Sequence, residues 1–458
     1  MILKSMKDIN IILAASLQKT GELGIGNNSC IPWDVPEDLE FFREKTIGNV
    51  VIMGRKTFDS IGKVLYGREN VILSGDPLLD IPGATVVHNY LELDDFIRDT
   101  SKKVFIIGGS SLYNRYLPIA KCIYLTEIKQ HFICDTVING IPSVFRITNF
   151  SDTKESNGIK YRFIQYEIAS FSYETQYISL IKDILQNGVP KTDRTGTGTL
   201  SKFGIQHRYD ISNGNIPLLT TKRIPFKSVV EELLWFCRGD TDSKILDAKG
   251  VKIWNANTSQ EFLNSRNLNY ITGQAGPIYG WQWRKFNAKF PEGTGGIDQL
   301  ANVEFLLKND PFSRRIMISS WNPSQLNEMA LPPCHFCIMF YVEEIDSVKY
   351  LSGHYVMRSN DIILGNPWNI ACYSILTQIL AKKCGMVAKE LVATVNDAHI
   401  YSNHIESANK QLNVKIKAPP VLKISDDIIE ADWETMTTDH FELIGYFPSP
   451  RILAKMAV

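Results

Sequence analysis

Val51-Ile52-Met53-Gly54-Arg55-Lys56-Thr57-Phe58 reads as a strand that runs through a glycine straight into a helix start. Val104-Phe105-Ile106-Ile107-Gly108-Gly109-Ser110 repeats the pattern further along. Working outward from these two, short β-branched runs predict strands over residues 9–15, 50–53, 70–73, 104–107 and 123–126. Helical patterns fall between them, over 35–45, 91–100 and 110–117. This alternation predicts an α/β domain with a mostly parallel sheet in the first half of the chain. Residues 159–169, after the turn signal Asn157-Gly158, read as a final hairpin arm.

A strand ending in glycine before a helix is a place where phosphates bind. Neither glycine site is the G-x-G-x-x-G fingerprint, so each alone is a weak signal. The stretch Ile31-Pro32-Trp33-Asp34-Val35-Pro36-Glu37-Asp38-Leu39-Glu40-Phe41-Phe42 says more. Pro36 suits a first helical turn. Val35, Leu39 and Phe42 then form an apolar stripe, with Asp38 four residues from Phe42 and bordering it. A carboxylate against apolar surface has its pKa raised. The same Asp38 also reads as an ordinary first-turn acid favoured by the helix dipole.

The second half, from about residue 173, has no regular βα alternation. It mixes strands with apolar helical runs over 229–238 and 370–384, after a first helical pattern at 177–185. This predicts an α+β domain. Only Phe171-Ser172-Tyr173 separates the halves, which puts the domains at 1–170 and 171–458. At 458 residues the chain is too long for one ordinary domain. Lys plus Arg and Asp plus Glu are 49 each, so no net charge draws the protein to nucleic acid or membrane. Eight scattered cysteines do not form a disulfide framework and suit a reducing compartment. Asp8 and Asn10 interrupt what would be the apolar core of a signal peptide, and the run 370–381 is too short to span a bilayer. A cytoplasmic protein is expected.

Ala330-Leu331-Pro332-Pro333-Cys334-His335 carries the chemistry of the second half. Two prolines leave the backbone before the cysteine little freedom, which suits a thiol that must be held still. A lone Pro-Pro-Cys equally describes a buried structural cysteine. The surrounding set decides between them: Asp193-Arg194-Thr195-Gly196, Ser313-Arg314-Arg315, Arg358-Ser359-Asn360-Asp361, Asn369 and Asp397-Ala398-His399-Ile400-Tyr401. Together these resemble thymidylate synthase, over a match from about Tyr173 to the C-terminus.

The first half resembles dihydrofolate reductase, on Ile31–Phe42, both glycine-ended strands, Leu125-Thr126-Glu127 and Gly67-Arg68-Glu69-Asn70. That resemblance implies NADPH as cofactor and dihydrofolate as substrate. Asp38 would hold the pterin ring and promote protonation beside the accepting carbon. Trp33, Leu39 and Phe42 would line the folate site, and Arg68 would take the folate glutamate carboxylate. Ala15, Gly26, Gly54, Arg55, Lys56, Thr57, Ser74, Gly108, Gly109 and Ser110 would hold the dinucleotide, with Arg55 near its 2′-phosphate.

The second resemblance implies methylation of dUMP by 5,10-methylenetetrahydrofolate. A pyrimidine C5 has no nucleophilic character until a thiolate adds at C6. Cys334 is the candidate, and Arg358 its cationic helper. A glutamate, with water, removes the C5 proton. The helix at 229–236 is apolar on nearly all sides, so an acid in it is buried or lines a cleft. The motif, rather than the pattern, selects Glu232 over Glu231. Asn369 offers an amide donor and a carbonyl acceptor, which complement O4 and N3–H of uracil; an aspartate there would better suit cytosine. His399 and Tyr401 alternate on an expected strand and would meet the sugar 3′-hydroxyl. Ser359 and Asp361 complete the nucleotide and pterin contacts. Arg194, Arg314 and Arg315 would bind the phosphate, the last two from a neighbouring subunit, which implies a homodimer.

No metal is expected, because Cys334-His335-Phe336-Cys337 is a single C-x-x-C without a second pair. The chain departs from the family patterns at Tyr66 for proline, Asn255 for aspartate, Met357 for glutamine and Asn396 for glycine, and in the unusual Asn366-Pro367-Trp368. The whole reads as a bifunctional dihydrofolate reductase–thymidylate synthase type. Alternatives are an enzyme with one live half, or a catalytically dead folate- or RNA-binding regulator. Separate assays of each half discriminate the first; intact Cys334, Arg358 and Asp38 weigh against the second, and zero net charge gives no support for RNA.

Overall fold

The structure is a computed structural model and describes residues 8–168, 173–193 and 195–455. Two compact units emerge. The first comprises residues 8–168 with the short segments Lys415–Pro419 and Gly445–Pro450; the second takes the remainder. Phe171-Ser172 and Ala169, which carry the expected junction and the end of the hairpin arm, lie outside the described residues.

In the first unit the strands Ala84–Val87, Glu69–Leu73, Val50–Gly54, Val104–Gly108, Ile9–Leu17 and Cys122–Ile128 lie side by side in that order, all parallel. Ile159–Ile168 adds to Cys122–Ile128 antiparallel, and Lys154–Ser156 turns back on it. Asn157 and Gly158, at φ 51° and 74°, take the left-handed positions of that turn. The mostly parallel sheet expected from the alternation is present. Its central runs, such as Val50–Met53, are fully buried because helices cover both faces. Those helices are Pro36–Thr46, Arg55–Ile61, Tyr90–Asp99 and Ser110–Tyr116. Asn89 caps the third by accepting from Leu91 N and Glu92 N at 3.0 Å each. Val50–Gly54 and Val104–Gly108 are direct neighbours, with Met53 opposite Gly108. Both glycine ends therefore meet at the carboxyl edge of the sheet.

The second unit is built on a mixed sheet in the order Val189–Lys191, Thr199–Asp210, Val387–Tyr401, Val348–Asp361, His335–Ile345 and Met317–Ser319. Its one parallel pair, Val348–Asp361 beside Val387–Tyr401, is joined by the helix Gly365–Lys383, so a single βαβ crossover sits within an otherwise antiparallel α+β unit. The helix can lie close because Gly353 has no side chain: a Cβ there would stand 2.5 Å from Thr377 Oγ1. Helices Glu174–Asn187 and Phe226–Arg238 are the further long elements. Register breaks near Cys337 and Gly353 bend the sheet. Asn396 lies in an ordinary extended strand; the left-handed residue at this point is Gly204 of the neighbouring strand, at φ 66°. Asn396 is not among the positive-φ residues, so asparagine in place of the family's glycine strains nothing here. Among the described residues no helix is long and apolar enough to cross a membrane.

Candidate active sites

In the second unit, the carboxyl ends of the two parallel strands and the start of the crossover helix converge, a common place for a ligand in such a crossover. Pro332-Pro333-Cys334 leads into His335–Ile345, and His335 pairs with Met357. Arg358 then reaches back across the segment. Its backbone N–H donates to Cys334 O, its Nε to Pro333 O and its Nη2 to Pro332 O, all at 2.9 Å. The same Nη2 lies 3.7 Å from Cys334 Sγ. A guanidinium pinned by two carbonyls beside a half-buried sulfur favours the thiolate. The Cys334 N–H donates to Tyr279 Oη at 2.7 Å, which fixes the loop from the other side. His335 is buried, lies 2.6 Å from Tyr373 Oη and stacks on Tyr279. Burial pushes its pKa down to about 3, so it stays neutral.

Glu232 sits on the buried face of Phe226–Arg238. Its Oε1 accepts from Trp254 Nε1 at 2.7 Å and its Oε2 from Trp368 Nε1 at 2.6 Å. Burial raises its pKa to about 7 despite these two donors. Glu231, its side chain 14% exposed, instead pairs with Lys249 at 2.7 Å. Geometry thus separates two acids that periodicity could not. Asn369 is the fifth residue of Gly365–Lys383, one past Trp368. Its Oδ1 accepts from Asn360 Nδ2 at 2.9 Å.

His399 and Tyr401 share one face of their strand, with rings 5.0 Å apart, and His399 is opposite Asp361 in register. His399 Nδ1 lies 3.3 Å from Asp397 Oδ1. Asp361 Oδ1 accepts from the N–H groups of Ile363 and Leu364 and lies 3.5 Å from His404 Nδ1, so part of its capacity serves the turn into the helix. Ser359 is half-buried opposite Asp397. Arg314 and Arg315 are adjacent in the chain. They occupy a turn before Met317–Ser319, and both are exposed. Neither has an ion pair among the described residues. Arg194 lies outside the described residues; beside it, Asp193 accepts from the N–H groups of Thr195 and Gly198 at 2.7 Å each.

In the first unit the helix phase corrects one expectation. Val35 is the N-cap of Pro36–Thr46, with non-helical φ/ψ, so it does not set the phase of the stripe. The inward face runs through Asp38, Phe41, Phe42 and Lys45, with Asp38 central and Leu39 64% exposed. Phe41 stacks on Phe163 at 4.2 Å. Asp38 Oδ1 accepts from Thr126 Oγ1 at 2.5 Å. Burial holds its pKa above the usual aspartate value, with Thr126 opposing. Trp33 is buried beside Phe132, and its Nε1 finds no partner among the described residues.

Arg68 donates to Thr46 Oγ1 at 3.1 Å and lies over the Phe42 ring at 5.5 Å. It has no carboxylate partner among the described residues, and burial and Arg43 lower its pKa. Asn70 holds its loop by bonds to Leu65 N, Leu65 O and Arg68 O. Tyr66 projects outward, 91% exposed.

At the glycine edge, Gly108 has φ 138° and a Cβ there would lie 3.1 Å from Thr57 Oγ1. A Cβ on Gly54 would lie 3.9 Å from Gly109 N. Backbone is therefore laid bare where the two strands end, beside Ser110. Ala15 is buried at the end of its strand, and Ser74 closes Glu69–Leu73 with its N–H on Val87 O. A Cβ on Gly26 would stand 3.3 Å from Cys30 O. Lys56 is exposed, and Arg55 is held by an exposed i,i+4 pair with Asp59 at 2.7 Å, a link weak enough to yield to a phosphate. A bare glycine cradle and an orphaned indole N–H fit a dinucleotide and a heterocycle.

The pattern readings did not find Thr126, Tyr279, Trp254, Trp368 or Asn360 as site contributors. Each acts through a contact between elements distant in sequence, except Asn360, whose signal was the neighbouring departure at Met357.

Two enzyme domains are therefore present. Residues 8–168 match the dihydrofolate reductase family and residues 175–458 the thymidylate synthase family. Over nearly its whole length the chain is similar to curated bifunctional dihydrofolate reductase-thymidylate synthases. It is 39% identical to that of Zea mays, covering 96% of this chain and 95% of the relative. It is 40% identical to that of Paramecium tetraurelia, covering 99% of each. It is 34% identical to that of Leishmania major, covering 99% and 96%. The chain belongs to the bifunctional dihydrofolate reductase–thymidylate synthase family. The two domains use NADPH and 5,10-methylenetetrahydrofolate respectively.

Proposed function

We propose that the second unit methylates dUMP through a Cys334 adduct and the first unit returns the resulting dihydrofolate to tetrahydrofolate. The observation that carries the first step is Arg358, pinned to Pro332 and Pro333 with Nη2 3.7 Å from the sulfur. The Cys334 thiolate adds to C6, and Asn369 binds N3–H and O4. Glu232, titrating near neutrality, moves the C5 proton through water. His399 and Tyr401 take the 3′-hydroxyl, Ser359 the nucleotide, Asp361 the pterin, and Arg194 the phosphate. The folate supplies the carbon and its reducing electrons. In the first unit Asp38 holds the pterin and promotes its protonation, with Trp33, Leu39 and Phe42 lining the folate site and Arg68 on the glutamate carboxylate. NADPH supplies a hydride, held by the cradle of Ala15, Gly26, Gly54, Arg55, Lys56, Thr57, Ser74, Gly108, Gly109 and Ser110. We assign the reductase domain to 1–170 and the synthase domain to 171–458; the first compact unit also takes Lys415–Pro419 and Gly445–Pro450. All eight cysteines are free, which suits the cytoplasm. Purified protein given dUMP, methylenetetrahydrofolate and NADPH should form dTMP and oxidise NADPH in step; dTMP without NADPH oxidation would refute the reductase half.

Glu232 provides a pH test. Each indole N–H favours the ionised carboxylate, so Trp368→Phe should raise its pKa. One charge-assisted bond contributes about 1.5–3 kcal/mol, or about one to two pKa units. The acidic limb of C5-hydrogen exchange from labelled dUMP should move to higher pH by that amount. An unmoved limb would remove Glu232 from the titrating step.

Arg314 and Arg315, exposed and without an ion pair among the described residues, support a homodimer in which they reach the partner's nucleotide phosphate. Cys334→Ala and Arg315→Ala proteins should each be inactive as synthases. Mixed after reversible dissociation, they should regain about a quarter of the parent activity, because half the dimers are mixed and each has one intact site. No recovery despite proven mixing would place Arg315 in its own subunit's site.

A further inference from the structure

The side chain that reads the base is itself held by a hydrogen-bond chain of one direction. Asn360 is 3% exposed, and its Nδ2 donates both to Asn369 Oδ1 at 2.9 Å and to Met357 Sδ at 2.8 Å. Met357 is buried as well. A thioether accepts and never donates. Turning the Asn360 amide over would put its Oδ1 against the Met357 sulfur, acceptor against acceptor. The sulfur therefore fixes Asn360 with its NH2 toward Asn369. An NH2 in that position accepts nothing, so Asn369 must meet it with Oδ1. The second lone pair of that oxygen and the Asn369 NH2 are left for a ligand.

We propose that Asn360, oriented by Met357, is a positioning residue that sets the Asn369 amide in the orientation that selects uracil over cytosine. This rests on the reading of Asn369 as the base-binding residue. Uracil presents N3–H, a donor, and O4, an acceptor. Cytosine presents N3, an acceptor, and a 4-amino donor. An amide free to turn over would complement either base; an amide locked from behind complements only uracil. Met357 is thus more than a lost glutamine. A glutamine amide donates or accepts and could not impose a direction by itself.

The test compares dissociation constants of dUMP and dCMP, measured by titration of the full-length protein, for Asn360→Ala and the similarly sized Asn360→Leu. The ratio favouring dUMP should fall by about tenfold in either variant, mainly through weaker dUMP binding and unchanged or tighter dCMP binding. Asn369→Asp is the control for the underlying reading and should reverse the preference. An equal loss of affinity for both nucleotides would mean a merely structural role and overturn the proposal. So would an unchanged ratio in the variant that folds. If Asn369→Asp left the ratio unchanged, Asn369 would not read the base, and the proposal would fail with that reading rather than on Asn360. The Leu variant keeps the test open if the Ala variant does not fold.

Discussion

Cys334→Ala should lower dTMP formation at least about 10⁴-fold and leave reduction of added dihydrofolate at the parent rate. The size follows from what the sulfur does. Without addition at C6 there is no enolate-like C5, so neither binding energy nor the proton relay has a reaction to accelerate. The structure argues that the loop survives the change. Its backbone is held by Tyr279 Oη on Cys334 N and by Arg358 on the carbonyls of residues 332, 333 and 334. None of these bonds uses the sulfur. dUMP binding should therefore stay within a few-fold of the parent, and the whole loss should appear in kcat. C5-hydrogen exchange should vanish together with dTMP, since both need the adduct. Exchange that persisted in the Ala variant would sink the covalent reading. Arg358→Lys should give an intermediate loss, because lysine keeps a charge but cannot hold two carbonyls and face the sulfur at once.

The strands that carry the first unit's site were legible because each is a short apolar run ending at a glycine or a turn. Residues 50–53 and 104–107 extend by one residue to Gly54 and Gly108, and the helix read over 110–117 spans Ser110–Tyr116. The phase of the first helix was not, because Val35 is apolar and adjacent yet lies outside the helical geometry as its N-cap. Counting from Val35 brought Leu39 inward and left Asp38 at the border; counting from within the helix puts Asp38 at the centre. Arg314 and Arg315 lie in a turn, where the chain has no alternation of faces from which to read their directions. The donors to Glu232 come from 22 and 136 residues away. Such pairings follow from how a helix, a loop and a crossover pack, and leave no periodic trace in the chain. Asn360 differs, lying nine residues from its partner. Its role was hidden because the bond spans a strand end and a helix start.

Asp38→Asn should lower hydride transfer to dihydrofolate by about 10²–10⁴-fold at neutral pH, and the deficit should shrink as pH falls. The parent carboxyl lies mostly buried on the inward face of Pro36–Thr46, and burial holds its pKa above the ordinary aspartate value. Its protonated form therefore persists to higher pH than that of a surface aspartate. Thr126 Oγ1 at 2.5 Å pulls the other way by favouring the ionised form. Asparagine keeps the shape and can still bond to Thr126, so folding and substrate positioning should be largely preserved. What it lacks is a proton that can be lost and regained beside the accepting ring. Protonation must then come from solvent, which makes the rate rise about tenfold per unit of falling pH until the substrate itself is protonated. Thr126→Val separates the two influences on Asp38. Without the hydroxyl the ionised form loses its donor, the pKa rises further, and the pH at which hydride transfer begins to fall should move upward while the low-pH rate stays near the parent value. Rates of NADPH oxidation with saturating dihydrofolate across pH 5–9 would decide both cases. An Asn variant with the parent's pH profile would mean that Asp38 is only the first-turn acid its helix position also allows.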